Sequence, residues 1–116
     1  MSRRRLSIFI TDIIQNMREA EDFIQGMSFE EFELDKKTFN AVVRSIEVIG
    51  EAAKNVPESL RSKYPVVPWK EMAGMRDKLI HSYFGVDCEA VWLSVKERMP
   101  AIQPLIEEVL RDPDLD

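Results

Sequence analysis

Apolar residues Leu6, Phe9, Ile10, Ile13, Ile14, Met17 and Ile24 recur at spacings of three and four. That period belongs to a helix burying one face, and it predicts a first helix from about Arg4 to Gln25. Gly26 is placed to stop it. Ser28 followed by Glu31 has the spacing of a capping box, so a short helical turn is expected through Phe32. A second long helix is expected from about Asp35, with Phe39, Val42, Val43, Ile46, Ile49, Gly50 and Ala53 as its stripe and Pro57 beyond its end. Gly50 lies inside that stripe, where glycine costs about 1 kcal/mol against alanine, which predicts a close approach by another helix.

The segment PESLRSKYPVVP, from Pro57 to Pro68, reads as a short helix followed by an extended linker, because Pro65 and Pro68 both restrict the backbone. A third helix is predicted from Trp69 to about Tyr83, with Met72, Met75, Leu79 and Tyr83 as its stripe and Gly85 as its stop. Asp87 is a natural N-cap for a fourth helix carrying Val91, Val95, Met99, Ile102, Ile106 and Val109. Pro100 and Pro104 fall inside that pattern, so a kink or break is expected there. No segment of useful length alternates with period two. The pattern therefore predicts an all-α protein, an up-and-down bundle of four to five helices in one domain over residues 1–116.

One histidine and one cysteine in 116 residues narrow the chemistry. Cys88 has no intrachain partner, and a structural Cys/His zinc site needs four ligands, so neither a metal nor a cofactor is expected and a cytoplasmic setting follows. Arg3, Arg4 and Arg5 precede an apolar run, as in a leader peptide, but Thr11, Asp12, Gln15 and Asn16 interrupt it early. No stretch approaches the roughly 18 apolar residues of a membrane span. The net charge of −5 argues at first against nucleic acid, yet it is unevenly placed. Glu19 to Asp35 holds seven acids and no base, and Glu107 to Asp116 five acids against Arg111; removing these −7 and −4 segments leaves +6 on the rest. Folding that separates them would put the acidic run away from a nucleic-acid cleft.

The lone histidine sits in Met75-Arg76-Asp77-Lys78-Leu79-Ile80-His81-Ser82-Tyr83-Phe84-Gly85. An imidazole suits proton transfer near neutral pH, and a guanidinium can grip a phosphate through two N–H groups. Together they are parts of a phosphodiester cleavage. Asp77 lies four residues before His81, on the same helical face, where a carboxylate can orient the ring and stabilise its protonated form. Arg76 stands roughly 140° around the helix from His81, whereas Tyr83 is within about 20° of Arg76. Arg76 and His81 share a site only if the arginine wraps round, the helix end distorts, or a second chain completes it. Cleavage assisted by a 2′-hydroxyl benefits from both a base and an acid, and one chain offers one imidazole. A symmetric dimer supplies two. The plain alternative for His81 is a helix C-terminal residue favoured by the macrodipole. For Tyr83 it is core packing on the Met72–Leu79 stripe.

Arg76, His81 and Tyr83 match the R-x4-H-x-Y motif of the HepT-like toxins of the HEPN superfamily, with Asp77 in the polar position after the arginine. With 9 Arg and 2 Tyr in the chain, both partners fall around the only His by chance about once in a thousand. The resemblance extends to Ser45-Ile46-Glu47-Val48-Ile49-Gly50-Glu51-Ala52-Ala53-Lys54, to Val67-Pro68-Trp69-Lys70-Glu71-Met72, and to Phe84-Gly85-Val86-Asp87 with Val91-Trp92. It implies a homodimer with two motif copies facing one cleft, and a metal-independent RNA endonuclease acting as the toxin of a toxin–antitoxin pair. Arg76, His81 and Asp77 would be its catalytic residues. It also implies an MNT-type nucleotidyltransferase antitoxin that transfers AMP to Tyr83. The competing reading within the same resemblance is a non-catalytic HEPN partner that docks a nucleotidyltransferase.

Other residues carry weaker signals. Glu47 and Glu51 are spaced to bind a cation or to form a solvated face. Trp69, Trp92 and the methionines read as core. Cys88 next to a helix start has no neighbour that makes it a nucleophile, and Arg3 to Arg5 read as a basic tail.

Overall fold

Local sequence signals set the helix ends of this chain, and apolar stripes set how the helices pack. The computed structural model describes residues 5–81 and 88–115, with side chains described outside 78–81. These residues form α1 (Leu6–Phe23), α2 (Phe29–Leu34), α3 (Lys36–Lys54), α4 (Glu58–Lys63), α5 (Trp69–His81), α6 (Cys88–Leu93), a π-helical segment (Ser94–Arg98) and α7 (Met99–Leu110). The architecture is all-α, as the periodicity predicts.

α1 turns Ile10, Ile13, Ile14, Met17 and Ala20 inward. It stops short of Gln25, and Gly26 takes a φ of 80°, a left-handed conformation open to glycine at little cost. The capping box forms as expected: the Glu31 amide donates to Ser28 Oγ at 3.1 Å and the Ser28 amide donates to Glu31 Oε1 at 2.9 Å. Asp35 caps α3, accepting from the Thr38 amide at 3.0 Å and from its hydroxyl at 2.7 Å. Those two bonds, the amide first, hold the Asp35 carboxyl below the usual carboxylate range.

The fourth predicted helix differs in its interior. It does not break at its prolines: α6, the π-helical segment and α7 follow one another without interruption. The Met99 amide bonds the Ser94 carbonyl, five residues back, so the helix widens just ahead of Pro100. Pro100 directly follows this widened turn, which makes room for a ring that would otherwise meet the carbonyl four residues back, and Pro104 is accommodated inside α7.

α1 packs chiefly on α3, α3 on α5, and α7 on α1. Arg18 pairs with Glu107 at 3.2 Å, while Glu21, Asp22, Lys96 and Pro100 line one cavity, so α1 and α7 run antiparallel. The core holds Phe32, Ile46, Ile49, Met72, Met99 and Ile106, with Trp69 buried beside them. Trp92 packs against Phe32 at 5.3 Å and edge-on to Phe29 at 6.0 Å, so both tryptophans read as core do pack there. Among the described residues no helix is long and apolar enough to cross a membrane.

Candidate active site

Gly50 and Arg76 define where the motif helix meets the rest of the bundle. A Cβ placed on Gly50 would stand 2.5 Å from Arg76 Cβ, 3.4 Å from the Met72 carbonyl oxygen and 3.5 Å from that of Ala73. Real side-chain atoms do not approach so closely, so the α3–α5 crossing at this point requires a glycine. The close approach anticipated from Gly50 is therefore present, and its neighbour is the arginine of the motif.

Arg76 leaves that crossing toward a groove of about 360 Å³ between α1 and α3. Phe9, Val48 and Ala52 give the groove apolar surface; Asp12, Arg44, Glu47, Glu51 and Asn55 complete its lining with Arg76. The residues from α3 repeat every three or four positions, so they form one stripe of that helix. None of the lining residues comes from the acidic run Glu19 to Asp35, which meets Val95, Lys96 and Pro100 at another cavity instead.

The charges around Arg76 are ordered. Its Nε stands 3.7 Å from Glu51 Oε2 and its Nη1 stands 3.8 Å from Asp77 Oδ1. Both separations exceed a hydrogen bond, so the carboxylates lower the local potential without closing on the guanidinium. Asp77 Oδ1 instead accepts from Lys54 Nζ at 3.0 Å. The Arg76 side chain is 30% exposed, enough to present N–H groups outward while its stem stays packed.

Sequence reasoning placed Arg76 and Asp77 side by side, and the structure adds their α3 partners. His81 is the last residue of α5, and its side chain lies outside the described residues; so does all of Tyr83, along with Gly85 and Asp87. Glu51, considered with Glu47 as a cation ligand pair, is a neighbour of Arg76, and both glutamates line its groove. Lys54 was missed as a site residue. Its signals were its place at the end of the resembling segment Ser45–Lys54 and a position three residues after Glu51, and neither reveals its partner until α5 is laid against α3.

A model of the family described as "Ribonuclease HepT-like" matches residues 13–109. The chain belongs to the HepT-like ribonuclease family. The match takes in α3, the groove residues other than Phe9 and Asp12, and the whole of α5. Similar proteins include "Putative RNase MJ0127" of Methanocaldococcus jannaschii, 50% identical over 112 residues that cover 97% of this chain and 93% of that protein. "Putative RNase MJ1216" of the same organism is 46% identical over 112 residues, covering 97% and 93%. "Probable ribonuclease HepT" of Thermococcus cleftensis is 46% identical over 101 residues, covering 87% and 92%. No solved structure matches the chain.

Proposed function

We propose that this protein is a metal-independent RNA endonuclease, the toxin of a toxin–antitoxin pair. The observation that carries the reading is membership of the HepT-like ribonuclease family over a span that contains the R-x4-H-x-Y motif intact. In the proposed reaction His81 removes the proton from a ribose 2′-hydroxyl. The oxygen attacks the adjacent phosphorus, the bond to the 5′-oxygen breaks, and that oxygen takes a proton as it leaves. The products are a 2′,3′-cyclic phosphate and a 5′-hydroxyl. Arg76 binds the non-bridging oxygens, whose negative charge grows in the transition state. Asp77 orients the imidazole and stabilises it when protonated.

A homodimer fits this chemistry because it brings two imidazoles to one cleft, one for the attacking and one for the leaving oxygen. The proposed regulator is an MNT-type nucleotidyltransferase that transfers AMP to Tyr83. A phosphodiester on Tyr83, seven residues after Arg76 in the sequence, would occupy the anion site and repel RNA.

The test is cleavage of single-stranded RNA by the purified protein. Cutting is expected to persist in EDTA and to fall at least about 100-fold in His81→Ala, the scale of a lost general acid–base group. Treatment with the partner enzyme and ATP should silence the parent protein but not Tyr83→Phe. RNA left intact by the parent, or cut equally fast by His81→Ala, would sink the proposal.

A further inference from the structure

Lys54 lies outside the motif and on a different helix, yet it holds the motif carboxylate. Its Nζ stands 3.0 Å from Asp77 Oδ1, the same oxygen that lies 3.8 Å from Arg76 Nη1. Among the described residues, Lys54 and Arg76 both approach this acceptor, and the ammonium is the one within hydrogen-bond distance. We propose that Lys54 is a positioning residue that keeps Arg76 available for the substrate phosphate by holding Asp77 away from it. The inference rests on the ribonuclease reading above and names a residue on which substrate binding at that site depends.

The physical reason lies in what a guanidinium does with an adjacent carboxylate. Arginine and a carboxylate join readily through two parallel N–H···O bonds, a pairing that would occupy the edge needed for phosphate. Asp77 is the next residue along α5, and a movement of about 1 Å would bring Oδ1 into hydrogen-bond contact with Nη1. Lys54 opposes that movement by anchoring Oδ1 toward α3. Glu51, which with Asp77 comes within 4 Å of the guanidinium among the described residues, is 60% exposed and well solvated, which makes it a weaker competitor. The anchor is set by the backbone: Gly50 fixes the crossing of α3 with α5, and Lys54 sits one turn farther along α3, level with Asp77.

The test is a double-mutant cycle read by RNA affinity. A fluorescent, 2′-O-methylated single-stranded oligonucleotide reports binding without cleavage, and unmodified RNA reports activity of the same preparations. Lys54→Met is expected to weaken binding about five-fold, a coupling typical of adjacent charged groups, and Lys54→Arg to restore it. In an Asp77→Asn background, where the competing charge is gone, adding Lys54→Met should change affinity less than about two-fold. Melting temperatures check that the variants are folded, since an exposed ion pair contributes only about 0–1 kcal/mol. An equal loss in both backgrounds would show that Lys54 touches RNA directly, and no loss in either would show that it does nothing; each outcome overturns the role. A parent protein that cuts RNA but shows no coupling overturns this inference alone, whereas one that neither binds nor cuts overturns the functional reading with it.

Discussion

At the scale of single residues, the site depends on an absent side chain as much as on those present. Gly50 weakens α3 by its own propensity, and only the 2.5 Å approach of Arg76 Cβ explains why it is there. Gly50→Ala gains about 1 kcal/mol of helix propensity but pushes α5 outward, and overpacking of this kind costs about 1–3 kcal/mol. The expected net result is a lower melting temperature together with reduced RNA cleavage. A variant that melts higher than the parent and cuts RNA normally would show that the crossing has slack. Arg76 and Asp77 were legible in the sequence because the spacing of a motif survives without a structure. The close approach at Gly50 was legible too, as a glycine inside an apolar stripe; Lys54 and the identity of Gly50's neighbour were not, because each depends on an atom of another helix.

At the scale of elements, helix starts and stops were written locally, and the joints between elements were not. Ser28, Glu31 and Gly26 act on backbone groups within a few residues, so their effects could be read in order along the chain. The π-helical segment before Pro100 could not, since several ways of accommodating a proline compete and packing chooses among them. Another joint ties the end of the chain to α4. Asp112, with a side chain only 2% exposed, accepts from Tyr64 Oη at 2.7 Å and pairs with Lys63 Nζ at 2.7 Å, while the Asp114 amide donates to its other oxygen at 2.8 Å. The Lys63 contact foremost, then the Tyr64 hydroxyl, lowers the Asp112 pKa from 3.8 to about 2. Since the folded value is the lower one, this contribution to stability is fully present above about pH 4 and is lost as pH falls through about 2. Asp112→Asn should therefore unfold at lower urea than the parent at pH 7, with the gap narrowing as pH drops from 4 toward 2. A gap independent of pH over that window would remove the carboxylate from this account.

At the scale of the whole molecule, the acidic charge and the candidate site occupy different places. The run Glu19 to Asp35 reaches the cavity beside Val95, Lys96 and Pro100, while Arg76 opens onto Phe9, Asp12 and the α3 stripe. The net charge of −5 is therefore not what RNA would meet at Arg76; within about one Debye length, roughly 8–10 Å, it would meet a mixed field in which Asp12, Glu47 and Glu51 stand beside Arg44 and Arg76. The proposed dimer makes its own prediction from the roughly 140° offset of Arg76 and His81 on one helix. If the cleft pairs the arginine of one chain with the histidine of the other, mixing inactive Arg76→Ala with inactive His81→Ala yields heterodimers in which one Arg76 and one His81 still face each other, with one of the two imidazoles missing. RNA cleavage should return in part on mixing, with water protonating the leaving oxygen in place of the second imidazole. A mixture as dead as its components, with exchange verified by native mass measurement, would place both groups of a site within one chain. The sequence by itself determined the all-α class, the long helices with their caps, and the residue types of the motif, because period, capping and motif spacing act over a few residues. Tertiary structure alone decided that α3 supplies Lys54 and Glu51 to Arg76 and Asp77, that Gly50 sets their separation, and that the acidic run lies elsewhere. Those are relations between side chains far apart in the chain, and only the packing of one helix on another brings them within reach of electrostatic and steric forces.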